Sequence, residues 1–231
     1  KNNEKLKFVE TILQKPDIED KYKFEVIKRF YKVARFLPKD KILSLANSSY
    51  ENFAIIGKGI LYQKTQDNRY LNEFIEKWKS NDEKNRTALV ELLPFYGENF
   101  ALIFINDHIE DFKTWESLLV LINTLKKMEF SHSKFTILKN IYQRNSSWKI
   151  QNEVLVGIFK DPIIPVLEWL IEELKNNNSP INLNMSLKRT TITDFLHNLS
   201  GENLGRDYLK WYNWYQKKDK KINLAIEKMP W

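Results

Sequence analysis

The chain has no cysteine and only six glycines among its 231 residues. Without cysteine it can hold no disulfide framework, no thiolate nucleophile and no Cys-based zinc site. Compartment stays open, cytoplasmic or exported, because exported proteins can also lack disulfides. Six glycines are about a third of the usual share. Sandwiches, barrels and nucleotide-binding α/β folds use glycine at tight turns and phosphate loops, so all of these fit the composition poorly. Uninterrupted apolar runs are short as well. The stretch 101–105 is five residues long, against the roughly 20 needed to span a bilayer, so no transmembrane segment is expected. The first residue is Lys1 rather than Met, so a preceding segment is expected, and it would carry any targeting signal.

Apolar side chains are nonetheless plentiful. Hydrophobic residues make up 42% of the chain and aromatic residues 13%, well above the content of a disordered chain and enough to bury a sizeable core. The composition predicts a folded, soluble protein. The formal net charge is +7, and its distribution decides how it is read. Residues 1–50 hold 12 basic and 7 acidic groups, and residues 201–231 hold 7 and 4. The blocks 51–100, 101–150 and 151–200 hold 7 and 8, 7 and 5, and 4 and 6. A groove that follows a phosphate backbone needs basic residues recurring along its length. Two basic ends around a nearly neutral middle suit solvated, lysine-rich faces better, so nucleic acid is possible as a partner but not favoured.

The dominant pattern is helical. Between 18 and 37, Ile18, Tyr22, Val26, Phe30, Val33 and Leu37 recur at spacings of three and four, which predicts one amphipathic helix. Pro38 ends it and stands at the start of a short helix over 39–46. The same reading predicts helix pairs at 50–63 with 68–79, 82–96 with 99–108, 115–128 with 133–144, and 148–159 with 163–174. Asp161-Pro162 reads as an N-cap followed by a first-turn proline, and Gly97 as a left-handed helix end. No run of period-two alternation between turn residues is convincing, so strands are not required. The long connection is 176–187, where Asn-Asn-Asn-Ser-Pro breaks the pattern.

Aligning the pairs exposes a weak internal repeat, with first-helix cores beginning at Glu25, Ala54, Ala88, Leu118, Val154 and Ile192. The spacings are 29, 34, 30, 36 and 38 residues, too variable for a strict tetratricopeptide array. A helical hairpin cannot bury its apolar face alone, and stacking hairpins into a superhelix solves that problem. The segments Ala88-Leu-Val-Glu-Leu-Leu-Pro-Phe-Tyr-Gly and Val154-Leu-Val-Gly-Ile-Phe-Lys-Asp-Pro-Ile-Ile-Pro-Val-Leu resemble HEAT-type repeat units. The tail from Leu199 to Tyr215 resembles the closing segment of bacterial HEAT-repeat proteins. Ser200-Gly201 stand for a Thr-Gly turn, Gly205 and Asp207 form the Gly-x-Asp, and Trp211 and Trp214 supply the tryptophan pair. The resemblance implies an all-α fold, an α-α superhelix (HEAT-like solenoid) of about five to six antiparallel helix pairs. It would form a single domain over 1–231 with a loop at 176–187 and a C-terminal cap at 199–231. It also implies binding rather than a reaction, since such families mostly serve as scaffolds.

Candidate sites are few. Gly57-Lys-Gly59 lacks the spacing of a Walker loop and the third glycine of a dinucleotide fingerprint, so both glycines read as close-packing positions in a helix. His108, His132 and His197 show no convincing ligand pair beyond Asp194 with His197, and no metal or cofactor is expected. The carboxylate groups at Asp107, Glu110 and Asp111 and at Glu168, Glu172 and Glu173 read as capping or solvated faces. Trp115 and Trp148 open first helices and read as packing residues. Trp211 and Trp214 share a helix face and read either as a cap on the last repeat or as an aromatic binding platform. On the helix over 133–144, Phe135, Leu138, Ile141 and Tyr142 form the apolar arc, which turns Thr136, Asn140, Gln143 and Arg144 outward as contact candidates. The expected function is a non-catalytic protein-interaction or scaffold module, not an enzyme, binding a protein or peptide partner on its solenoid surface. The alternative is a nucleic-acid binder or DNA glycosylase-like enzyme with a basic concave face, which would need an acidic residue among aromatic and basic groups.

Overall fold

The computed structural model describes residues 2–159, 164–176 and 183–217. Among them every regular element is helical and no strand is present. The chain forms two compact units, Lys1–Glu129 and Phe130–Trp231. The first holds α1 (Asn2–Gln14), α2 (Asp20–Arg29), α3 (Tyr31–Ala34), α4 (Lys39–Ala46), α5 (Glu51–Thr65), α6 (Asn68–Lys79), α7 (Glu83–Val90), α8 (Glu98–Asp107) and α9 (Trp115–Lys127). Two 3-10 turns, Leu93–Tyr96 and Ile109–Asp111, lie on either side of α8. The second unit holds α10 (His132–Arg144), α11 (Trp148–Ile158), α12 (Ile164–Asn176), α13 (Leu183–Ser200) and α14 (Tyr208–Lys217). No helix among the described residues is long and apolar enough to cross a membrane.

Helix ends follow local chemistry. Asp67, Asp82, Thr114 and Ser131 cap α6, α7, α9 and α10 with side-chain oxygens that accept first-turn N–H groups. Pro38 is the N-cap of α4, and its carbonyl accepts from Ile42 N. Gly97 has the positive φ expected of it (109°), but its ψ of 137° lies outside the left-handed helical region, and it joins the 3-10 turn 93–96 to α8. Two expected helices are interrupted. The stretch 18–37 breaks at Phe30 (φ −109°, ψ 29°), whose ring packs edge-on against Phe8 of α1. The stretch 82–96 leaves the α-helix after Val90, because Pro94 has no N–H to donate to the Val90 carbonyl, and the chain continues as the 3-10 turn. The periodicity reading begins at Ile18 and misses α1, where Val9 is the one buried residue. At the expected 176–187 loop, Asn176 still belongs to α12 and α13 begins at Leu183. Residues 177–182, the Asp161-Pro162 cap and 218–231 of the expected cap lie outside the described residues.

In the first unit α5 is the central element. Phe53, Ile55, Ile56, Gly57, Gly59, Ile60 and Leu61 are all buried, and α5 packs against α4, α6 and the 3-10 turn 93–96. A Cβ at Gly57 would lie 2.2 Å from Ala46 N and 2.6 Å from Ala46 Cα, so α4 approaches backbone to backbone. A Cβ at Gly59 would lie 2.8 Å from the Tyr96 ring and 2.9 Å from the Phe95 carbonyl. The two glycines face different neighbours, as the 3.6-residue turn requires of positions two apart. An aromatic column ties α6 to α8. Trp78 meets Phe104 at 5.0 Å between ring centroids, and Phe104 stacks on His108 at 4.2 Å. His108 Nδ1 donates to the Phe104 carbonyl at 2.9 Å.

Glu83 ties α7 to the start of α9. Its Oε1 accepts from Lys113 N at 3.0 Å, Thr114 N at 2.9 Å and the Ser117 hydroxyl at 2.8 Å. These donors, the Thr114 N–H foremost, favour the ionised form and push the Glu83 pKa down to about 2 from its ordinary 4.5.

In the second unit the tail motif has a local explanation. Gly201 (φ 71°) terminates α13, with its N–H on the His197 carbonyl at 2.8 Å. Asp207 Oδ1 accepts from Leu209 N at 2.9 Å and starts α14. The Trp211 indole N–H donates to the carbonyl of Gly205 (φ 62°) at 2.7 Å.

Two outcomes follow from this packing. Gly57→Ala must push α4 away from α5 and is expected to cost about 1–3 kcal/mol, read as a lower urea midpoint with an unchanged slope; an unaltered midpoint would contradict the close approach. Because the Glu83 pKa is depressed on folding, its contribution is complete above its ordinary value and is lost as pH falls through about 2. Glu83→Gln should therefore lower the melting temperature at pH 7 and make the wild-type and variant curves converge toward pH 2. A gap that stayed constant with pH would contradict it.

Candidate functional site

The first unit contains a cleft of about 580 Å³, within the usual range of ligand sites. Tyr31, Lys32 and Arg35 reach it from α3 and the residue after it. Tyr62, Gln63 and Gln66 come from the end of α5, and Pro94 and Tyr96 from the 3-10 turn. Gly97, Glu98, Asn99 and Phe100 open α8, and Glu129 follows α9. Local backbone shapes the walls. Gln66 has φ 56° and turns the chain at the end of α5, and Gly97 turns it into α8. Gln63 Nε2 donates to the Phe95 carbonyl at 2.7 Å and locks α5 to the 3-10 turn.

Tyr62, Tyr96 and Phe100 form an aromatic floor, with ring centroids 6.1 to 6.2 Å apart. Tyr96 is buried and is seated on Phe74 at 4.8 Å, while Tyr62 and Phe100 are half-buried. The Tyr31 hydroxyl donates to Glu98 Oε1 at 2.5 Å, with the Lys127 carbonyl at 2.8 Å as its alternative acceptor. Glu98 Oε2 accepts from Glu129 N at 2.9 Å. Burial, reinforced by the Glu98 carboxylate, holds the Tyr31 phenol far above its usual pKa, so it remains a neutral donor. Lys32 pairs with Glu129 at 3.2 Å. Beside the cleft, Lys28 bridges to Glu91 at 2.7 Å and Glu25 at 3.0 Å; burial opposes its charge, yet these carboxylates hold its pKa above the ordinary value. The cleft thus presents aromatic faces, side-chain amides that both donate and accept, and fixed charges.

The contact candidates from the sequence lie elsewhere, in the second unit. Thr136, Gln143 and Arg144 are exposed on α10 and Asn140 is half-buried. The Thr136 hydroxyl donates to the His132 carbonyl of its own helix at 3.0 Å. None of the four lines the cleft. Trp211 is fully buried, and half-buried Trp214 meets it edge-on at 5.6 Å. Trp115, expected to pack, is 44% exposed at the first position of α9. His197 Nδ1 donates to the Glu202 carbonyl at 2.9 Å and so stabilises the end of α13. The cleft itself escapes a reading by helix faces, because Tyr31, Gln63, Glu98 and Glu129 come from four separate elements. The signals in the sequence are Gly97 directly after Tyr96 and the polar tail of α5 after a largely apolar middle.

A second polar cluster joins α10, α12 and α13. Tyr142 meets Trp169 edge-on at 5.0 Å, and Lys188 lies 5.7 Å over the Tyr142 ring. Burial lowers the Lys188 pKa, and Glu173 opposes that shift. The chain matches no family model, no curated protein and no solved structure.

The Tyr31–Glu98 bond should be measurable. A hydrogen bond to a charged acceptor contributes about 1.5–3 kcal/mol, so Tyr31→Phe is expected to lower unfolding free energy by roughly that amount, and much less in a Glu98→Gln background. Equal losses in the two backgrounds would contradict the bond.

Proposed function

We propose that the chain is a non-catalytic recognition module that binds a peptide segment of a partner protein in the cleft of its first unit. The observation that carries this reading is the lining of the cleft. Tyr62 and Phe100, half-buried beside the buried Tyr96 ring, offer contact with few rotatable bonds, and Gln63, Gln66 and Asn99 offer both hydrogen-bond polarities that a peptide backbone needs. Small-molecule sites are lined mainly by apolar groups, whereas this one is lined mainly by polar side chains. The proposed architecture is a HEAT-like α-α superhelix. Its support is the packing of helices two apart in sequence, α7 on α9, α11 on α13 and α12 on α14, together with sequence neighbours such as α4 on α5 and α10 on α11.

The nucleic-acid or glycosylase-like alternative asks for an acidic residue among aromatic and basic groups. Glu173, Trp169, Tyr142 and Lys188 meet that description by residue type. Both rings are buried, however, Tyr142 to 2% and Trp169 to 6% exposure, so neither presents a face for a base to stack on. The outward side of α10 is the lesser candidate for a protein contact, since none of Thr136, Asn140, Gln143 and Arg144 lines the cleft.

Selection of a phage-displayed random peptide library on the full chain tests the assignment. Enriched peptides are expected to bind wild type and to weaken about tenfold or more on Tyr62→Ala and Asn99→Ala. A combined Thr136→Ala and Gln143→Ala variant should bind them unchanged. Peptides that ignore the cleft substitutions and lose affinity on the α10 variant would transfer the site to α10.

A further inference from the structure

Resting on the peptide reading of the cleft, we infer that its partner segment is acidic and that Arg35 receives a side-chain carboxylate of that segment. The inference comes from accounting for charge inside the cleft. Four charged side chains line it, two of each sign: Lys32, Arg35, Glu98 and Glu129. Glu98 is satisfied by the Tyr31 hydroxyl and the Glu129 N–H, and Glu129 is paired with Lys32 at 3.2 Å. Arg35 is left. No carboxylate among the described residues pairs with it, and its guanidinium lies 4.8 Å over the ring of Phe36, itself 55% exposed. Arg35 is exposed, and stacking on an exposed ring leaves its N–H donors in the guanidinium plane open to an acceptor.

Three further features share this sign. A guanidinium fork matches a carboxylate through two parallel hydrogen bonds, a geometry that an ammonium does not offer. Gly97, the N-cap of α8 and part of the cleft lining, has no side chain to accept from the first-turn N–H groups. Residues 1–50, which include Tyr31, Lys32 and Arg35 of the lining, carry 12 basic against 7 acidic groups, a balance that favours an acidic partner. The aromatic floor lies next to the charge, so the expected segment combines Asp or Glu with a neighbouring apolar or aromatic residue.

The test uses the full chain and two fluorescein-labelled pools of short random peptides, both acetylated and amidated at their ends. One pool is enriched in Asp and Glu, the other in Lys, and anisotropy is read at about 50 mM salt, where exposed charges are weakly screened. The acidic pool should bind and the basic pool should not. Arg35→Ala should weaken the acidic pool about tenfold, and Arg35→Lys should restore only part of the loss. Equal binding of both pools, unmoved by Arg35→Ala, would overturn the charge assignment and leave the peptide cleft standing. Failure of both pools to bind would overturn the cleft reading as well. Binding of a labelled single-stranded oligonucleotide more tightly than the acidic pool, with the same loss on Arg35→Ala, would assign the anion to nucleic acid and overturn the acidic-peptide inference.

Discussion

The close approach of three backbones around the middle of α5 is the constraint on which the first unit depends. Gly57 lets α4 come within backbone contact, and Gly59 lets the 3-10 turn 93–96 settle against a different side of the same helix. Apolar residues surround the two glycines, and each fully buried Ile or Leu there contributes about 1.5–3 kcal/mol of burial. Fixing the 3-10 turn against α5 also fixes Tyr96, and Tyr96 in turn carries the floor formed with Tyr62 and Phe100. The cleft therefore sits on a rigid base, a condition for binding without a large ordering cost.

Charge completes the cleft in a second layer. Tyr31, Glu98 and Glu129 form a connected set in which a neutral phenol and a backbone N–H donate to a half-buried carboxylate and stabilise its charge. Lys32 is paired with the same set through Glu129. These bonds bring α3, α8 and the segment after α9 to one rim, so the same interactions that close the first unit also define what its opening presents. Of the two cations lining the cleft, Arg35 is the one that takes no part in this closure.

Local rules made much of the fold legible in the sequence. The bounds of α4 and α6 agree with the periodicity because Pro38 starts one and Asp67 caps the other. Gly97 has the positive φ assigned to it, and Gly201, Gly205, Asp207 and Trp211 each have a local role that explains why the tail motif contains them. The misses are also physical. Apolar spacing alone carried the 82–96 reading past Pro94, and it overlooked α1 because that helix buries little more than Val9. Trp115 shows that an aromatic residue at a helix start need not point inward. The cleft was hidden for a different reason. A helical pattern reveals which side of one element is apolar, whereas Tyr31 and Glu98 are 67 residues apart and meet only through tertiary packing.

The most direct measurement of the central claim is the perturbation of side-chain amide resonances on titration of the full chain with a selected peptide. The Gln63, Gln66 and Asn99 side-chain NH₂ signals should shift together and saturate with one affinity, while the Asn140 and Gln143 signals on α10 stay in place. Shifts confined to Asn140 and Gln143, or none at all in the three cleft amides at saturating peptide, would contradict the assignment of recognition to the cleft.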